Sequence, residues 1–188
     1  MKKRDKQSKD VQNVSRRMTG KNMGVRVAFC GCILGFALLL GYVEFLIPFS
    51  FGIPGVKLGL ANLAVVLCLY QFGWKEALAV CVGRILISSF LFGNSFALLY
   101  SLAGGLLSFV VMCLIKRIKN IGIGIVSMSG GIFHNIAQLF VAYFVVKQGV
   151  IFYYVPFLVF FGALTGVLNG MLAKLIGERI SKTKIMGE

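Results

Sequence analysis

Residues 95–115 read SFALLYSLAGGLLSFVVMCLI, and residues 116–119 read KRIK. The first string is 21 residues long and holds no charged side chain. At about 1.5 Å per residue such a helix extends about 30 Å, the depth of the hydrocarbon core of a bilayer. The basic cluster that stops it is the kind of loop retained on the cytoplasmic side. The stretch therefore predicts a transmembrane helix.

Similar runs lie on both sides of it, at 25–47, 58–72, 77–92, 123–146 and 151–176. Pro48 ends the first, and the loop 48–57 holds two prolines and two glycines. Gly73-Trp74-Lys75-Glu76 separates the second from the third, and Gly93-Asn94 turns the chain into the fourth. The second and third are shorter than the roughly 20 residues of a perpendicular span. They are expected to extend into their flanks or to meet a locally thinner membrane. The pattern predicts an all-α, polytopic, six-transmembrane-helix bundle over residues 23–177. A basic cytoplasmic tail, disordered or lying on the membrane surface, is expected at 1–22, and a second cytoplasmic tail at 178–188.

Composition agrees with this reading. The 188 residues are 58% hydrophobic with a mean hydropathy of +0.87, more apolar surface than a soluble domain of this size can hide. The formal charge of +14 raises the question of nucleic acid, but the charges gather at ends and short loops. Nine Lys and Arg fall between Lys2 and Arg26, and four between Lys174 and Lys184. No basic groove interleaved with aromatics follows them, so a nucleic-acid partner is excluded. The first apolar run is too long for a cleaved signal peptide and lacks small-residue cleavage chemistry; it is expected to remain as a helix.

Basic residues also set the orientation. With the N-terminus inside, the cytoplasm receives the N-tail, Lys75, the 116–119 cluster and the C-tail, and only Lys57 and Lys147 lie outside. The expectation is a plasma-membrane protein, N-in and C-in, in contact with lipid.

Small residues recur four apart in the first run: Ala28 with Cys32, Gly31 with Gly35, Ala37 with Gly41. This spacing lets another helix approach closely. The other helix belongs either to this chain or to a partner; Ala28, Gly31, Cys32 and Gly35 are the candidate docking face.

Ionisable and amide groups inside the runs are costly in lipid and mark function. Glu44 lies near the outer end of the first helix, Lys57 just before the second and Asn62 one turn inside it. Arg84 is near the middle of the third. His134 and Asn135 lie in the fifth, with Gln138 one turn further on the His134 face. Two readings follow. These groups either line a pocket open to the outside or hydrogen-bond between helices as glue, with Glu44 paired to Lys57 or Arg84. In a pocket, Lys57, Arg84 and His134 give a basic lean, and Tyr42, Phe45, Tyr100 and Tyr143 supply aromatic walls. A small anionic or amphipathic organic ligand suits such walls.

Catalytic chemistry is hard to build from this chain. Its two aspartates, Asp5 and Asp10, both lie in the tail, so no aspartate-rich magnesium–diphosphate site is available. There is no phosphate-binding GxxxxGK[ST] loop. The single His134 and the five cysteines, all inside apolar runs without a CxxC pair, offer no triad, no metal site and no redox site. No cofactor is expected.

Glu44-Phe45-Leu46-Ile47-Pro48 is followed by Pro54-Gly55-Val56-Lys57-Leu58-Gly59-Leu60-Ala61-Asn62. Further along come Leu69-Tyr70, Arg84, Leu91-Phe92-Gly93 and Leu99-Tyr100-Ser101-Leu102-Ala103-Gly104-Gly105. Ser129-Gly130-Gly131, His134-Asn135 and Gln138 complete the set. Together these residues resemble the Gx transporter family, whose members are also labelled heptaprenyl diphosphate synthase component I. The resemblance is densest from Glu44 to Ala142. In outline it covers the whole membrane region. The family is similar in size and helix count to the six-helix, substrate-binding S components of energy-coupling-factor (ECF) vitamin transporters. The S-component likeness implies outward capture of a small organic molecule at Glu44, Lys57, Asn62, Arg84, His134, Asn135 and Gln138. It also implies partnership with an ECF T component and ATPases through the first helix, where an alanine motif is replaced by Ala28, Gly31, Cys32 and Gly35. The synthase label implies instead a membrane subunit beside a soluble prenyl diphosphate synthase in menaquinone or isoprenoid synthesis, with catalysis on the other chain.

Overall fold

A computed structural model describes residues 2–46, 59–93 and 95–182, with side-chain surroundings for 23–46, 59–93, 95–145 and 147–179. Among the described residues there are six α-helices and no strand: α1 (Lys2–Leu46), α2 (Leu60–Gln71), α3 (Trp74–Phe92), α4 (Ser95–Lys116), α5 (Ile123–Val146) and α6 (Val155–Lys182). A short 3-10 turn, Gly149–Tyr154, leads into α6. The all-α expectation holds, and each apolar run became one helix. The basic tail, whose sequence has no helical period, is drawn into α1, which runs unbroken from Lys2.

Four segments are long and apolar enough to cross a membrane: Met23–Leu46, Ser95–Lys116, Ile123–Val145 and Gly149–Arg179. The other two helices differ for physical reasons. α2 has 12 residues, about 18 Å of rise against about 30 Å of hydrocarbon. Every residue from Ala61 to Leu69 is buried, so α2 is sheathed by its neighbours rather than by lipid. α3 has 19 residues but carries Lys75, Glu76 and Arg84.

The helices run alternately up and down. At one end Tyr42 meets Phe92 with ring centroids 5.1 Å apart, and Tyr143 meets Phe152 at 5.0 Å. At the other, Arg26 of α1 pairs with Glu76 of α3 and donates to the Phe72 carbonyl at 3.1 Å. That second end also holds Lys75, Lys116, Arg117, Lys174 and Arg179, and is the basic end of the bundle.

The main core joins α1, α2, α3 and α4 around Ala64, Val65, Val66, Cys68, Ala77, Cys81, Ile85 and Met112. α5 and α6 meet through glycine. A Cβ on Gly131 would overlap the Gly162 carbonyl oxygen, and one on Gly166 would stand 2.6 Å from Met128 Cα. Gly170 likewise lies against Gly124. Backbones this close gain dispersion that side chains of any size would forfeit, the usual means of helix association in lipid. Large apolar side chains point outward all round; Phe90 is 92% exposed and Tyr153 81%. Leaving one such side chain in water forgoes about 1.5–3 kcal/mol, whereas lipid accepts it without loss.

Candidate functional site

The polar residues singled out in the sequence fall into three separate groups; Lys57 lies outside the described residues.

The first group surrounds Gly59. This residue precedes α2 in the left-handed region at φ 66°, where glycine is favoured. Its N–H donates to Glu44 Oε1 at 2.7 Å, and its carbonyl accepts from Asn169 Nδ2 at 3.0 Å. The Asn62 N–H also donates to the same carbonyl at 2.8 Å. One glycine thus joins α1, α2 and α6. Glu44 places a carboxylate at the N-terminus of α2, where the helix dipole favours negative charge. Its described hydrogen bond is to backbone; a pairing with Lys57 lies outside the described residues. Asn62 is buried in the first turn of α2.

The second group crosses α4 at Gly104 and Gly105. His134 and Gln138 both lie over Gly104, where a Cβ would meet Gln138 Cγ at 2.9 Å and His134 Cε1 at 2.9 Å. The next glycine faces α3 instead: Cys81 Sγ donates to the Gly105 carbonyl at 3.7 Å, and Ile85 fills the space above it. Arg84 lies between those two α3 residues in sequence. Gln138 is 2% exposed, and its Oε1 has no hydrogen-bond partner. Arg84 Nε and Ser108 Oγ are also buried without one. Each such atom costs about 1–3 kcal/mol unless something bonds to it.

The third group is Asn135 alone. It is 4% exposed, and its Nδ2 donates to the Leu158 carbonyl of α6 at 2.9 Å. Of the two readings, glue describes Asn135. Gly59 and its partners also serve to hold helices together.

On α1 the small residues divide. Ala37 is buried, and Gly41 approaches Ala61 Cβ at 3.9 Å, so that pair packs inside this chain. Ala28, Gly31, Cys32 and Gly35 are exposed, and a Cβ on Gly31 or Gly35 would meet nothing within 4 Å. Among the described residues, nothing packs against Gly31 or Gly35.

Asn169 was not anticipated, although the search for polar residues in apolar runs would have found it. Gly162, Gly166 and Gly170 repeat the four-residue spacing noticed only in the first helix. The Arg26–Glu76 pair has no signal in spacing, because it joins residues on different helices.

Taken together, these features describe an all-α integral membrane protein with polar groups buried at two levels of its bundle. The chain belongs to the heptaprenyl diphosphate synthase component I family, whose model matches residues 33–176. Component I of that synthase is its non-catalytic subunit. No curated protein and no solved structure matches the chain.

Proposed function

We infer that this chain is the membrane subunit of a two-component prenyl diphosphate synthase. It holds a soluble catalytic chain at the cytoplasmic face of the plasma membrane. The observation that carries this reading is the family match over residues 33–176, on a bundle with four helices able to cross a bilayer. The distribution of acids supports it: the only aspartates, Asp5 and Asp10, precede the membrane region, so metal–diphosphate chemistry belongs to the partner. In this account the chain crosses six times, α2 and α3 completing the bundle, with both termini inside. The basic end around Lys75, Lys116 and Lys174 then meets anionic lipid and the partner.

Vesicle flotation tests this reading. The soluble prenyl diphosphate synthase chain of the same organism is mixed with vesicles that hold or lack this protein. The expected result is flotation of the synthase only with vesicles that hold it. A synthase that stays in the soluble fraction in both cases contradicts the reading.

A second reading has one observation in its favour. Arg84 Nε of α3 and Gln138 Oε1 of α5 are buried without hydrogen-bond partners, as a polar ligand site would leave them. On this reading the chain captures a small organic molecule from outside, S-component-like, and Ala28, Gly31, Cys32 and Gly35 dock an ECF T component with its ATPases. Arg84→Ala and Gln138→Leu would then abolish retention of a small molecule during purification. On the synthase-subunit reading neither change affects synthase flotation.

A further inference from the structure

At the basic end of the bundle a cavity of about 580 Å³ opens between the end of α2, the start of α5 and the last turns of α6. Leu67, Ile123, Met171 and Ala173 give it apolar walls. Tyr70, Gln71 and Lys174 supply its polar groups. Its size is that of an ordinary small-ligand pocket.

Its electrostatics favour an anion. Lys174 lines it directly. Lys116 stands 4.6 Å from the centre of the Tyr70 ring, held there by the Leu69 carbonyl at 2.6 Å. α5 begins at the cavity with Gly122 as its N-cap, so no side chain caps its first-turn N–H groups. Glu178 is the one acidic residue on its wall. Beyond the cavity α6 continues outward with the exposed apolar residues Leu168, Met171, Leu172 and Leu175. A ligand with a charged head in the cavity thus has a path for a long tail along α6 into lipid.

We propose that this cavity binds a polyprenyl diphosphate, with the diphosphate near Lys174 and the first isoprene units against Leu67, Ile123 and Met171. The inference rests on the synthase-subunit reading and extends it, because the subunit then accepts the long-chain product of the soluble partner and directs its tail into the bilayer. A bilayer phospholipid offers the same phosphate chemistry from another source. Its phosphodiester carries less charge and is joined to two chains. A diphosphate on one branched chain is the better match to a single cavity with Lys174 on its wall, Lys116 against the Tyr70 ring that lines it, and a helix N-terminus.

Two glycines make the test clean. Gly122 and Gly124 line the cavity, and a Cβ on either meets nothing within 4 Å, so Gly122→Phe and Gly124→Leu are chosen to fill it from open positions. Gly149 at the opposite end is equally open, and Gly149→Leu serves as the folding control. The purified chain in phosphatidylcholine nanodiscs is titrated with heptaprenyl diphosphate, with phosphatidylglycerol and inorganic diphosphate as competitors. The expected result is saturable binding that weakens at least about tenfold in both filled variants and is unchanged in the control. Lys174→Gln should weaken it several-fold and flatten its salt dependence. Equal affinity in the filled variants overturns the proposal, as does equal competition by phosphatidylglycerol, which would make the cavity a lipid site. Synthase flotation is scored on the same preparations. Flotation without prenyl diphosphate binding overturns the cavity alone; loss of both overturns the cavity and the subunit reading together.

Discussion

Gly59 shows how much can hang on one residue. Three helices meet at its two backbone polar groups, which bond to Glu44 and Asn169. Glu44→Ala removes a charge-assisted bond and leaves a donor at a helix N-terminus. The expected loss is about 1–3 kcal/mol, read as a lower unfolding temperature in detergent. Asn135 and Gln138 make a sharper comparison, since both are buried amides three residues apart on α5. Asn135 has a partner in Leu158, whereas Gln138 Oε1 has none. Asn135→Leu should therefore destabilise by about 1–3 kcal/mol, and Gln138→Leu should be neutral or stabilising. A similar loss in both would mean that Gln138 has a partner within the bundle and would weaken the second reading. Sequence marked all three of Glu44, Asn135 and Gln138 as special but could not assign their partners. A polar residue in an apolar run announces a cost; the helix facing it decides how that cost is met.

The elements themselves were more legible than their contacts. Apolar runs with few charges, bounded by Pro48, Gly73 or Lys116, set the helix positions closely, because lipid permits little backbone except helix. The role of α2 was less visible: its apolar run reads as a short span, yet its residues from Ala61 to Leu69 are enclosed by protein. Periodicity is silent there, since a helix buried on all sides is apolar on all sides. The glycines show the same limit. Gly35 and Gly166 both belong to four-residue patterns, but only Gly166 lies against a backbone, 2.6 Å from Met128 Cα to a built Cβ. Gly166→Leu should push α5 and α6 apart and cost more than about 2 kcal/mol. Gly35→Leu should leave the unfolding temperature of the isolated protein within about 1 °C, a shift of a few tenths of a kcal/mol. If it weakens synthase flotation with stability intact, the exposed face of α1 is part of the partner interface.

At the scale of the whole molecule the charge distribution carries the argument. Arg26, Lys75, Lys116, Arg117, Lys119 and Lys174 lie at one end of the membrane region, and the Gly59 cluster lies at the other. Both termini are expected in the cytoplasm. Single cysteines placed at Lys75 and at Lys147 in a background without the native cysteines should label only from inside and only from outside, respectively. The reverse pattern would turn the molecule over and move the basic end away from any cytoplasmic synthase. On the proposed function, this chain is the membrane half of a prenyl diphosphate synthase. The most direct test is to isolate the tagged protein from native membranes in mild detergent and identify the chains that accompany it by mass spectrometry. The expected result is a soluble prenyl diphosphate synthase in near-equal amount, still present when Arg84 is replaced by Ala. Recovery of a T component and ATPases with a bound small molecule, and no synthase, would contradict it.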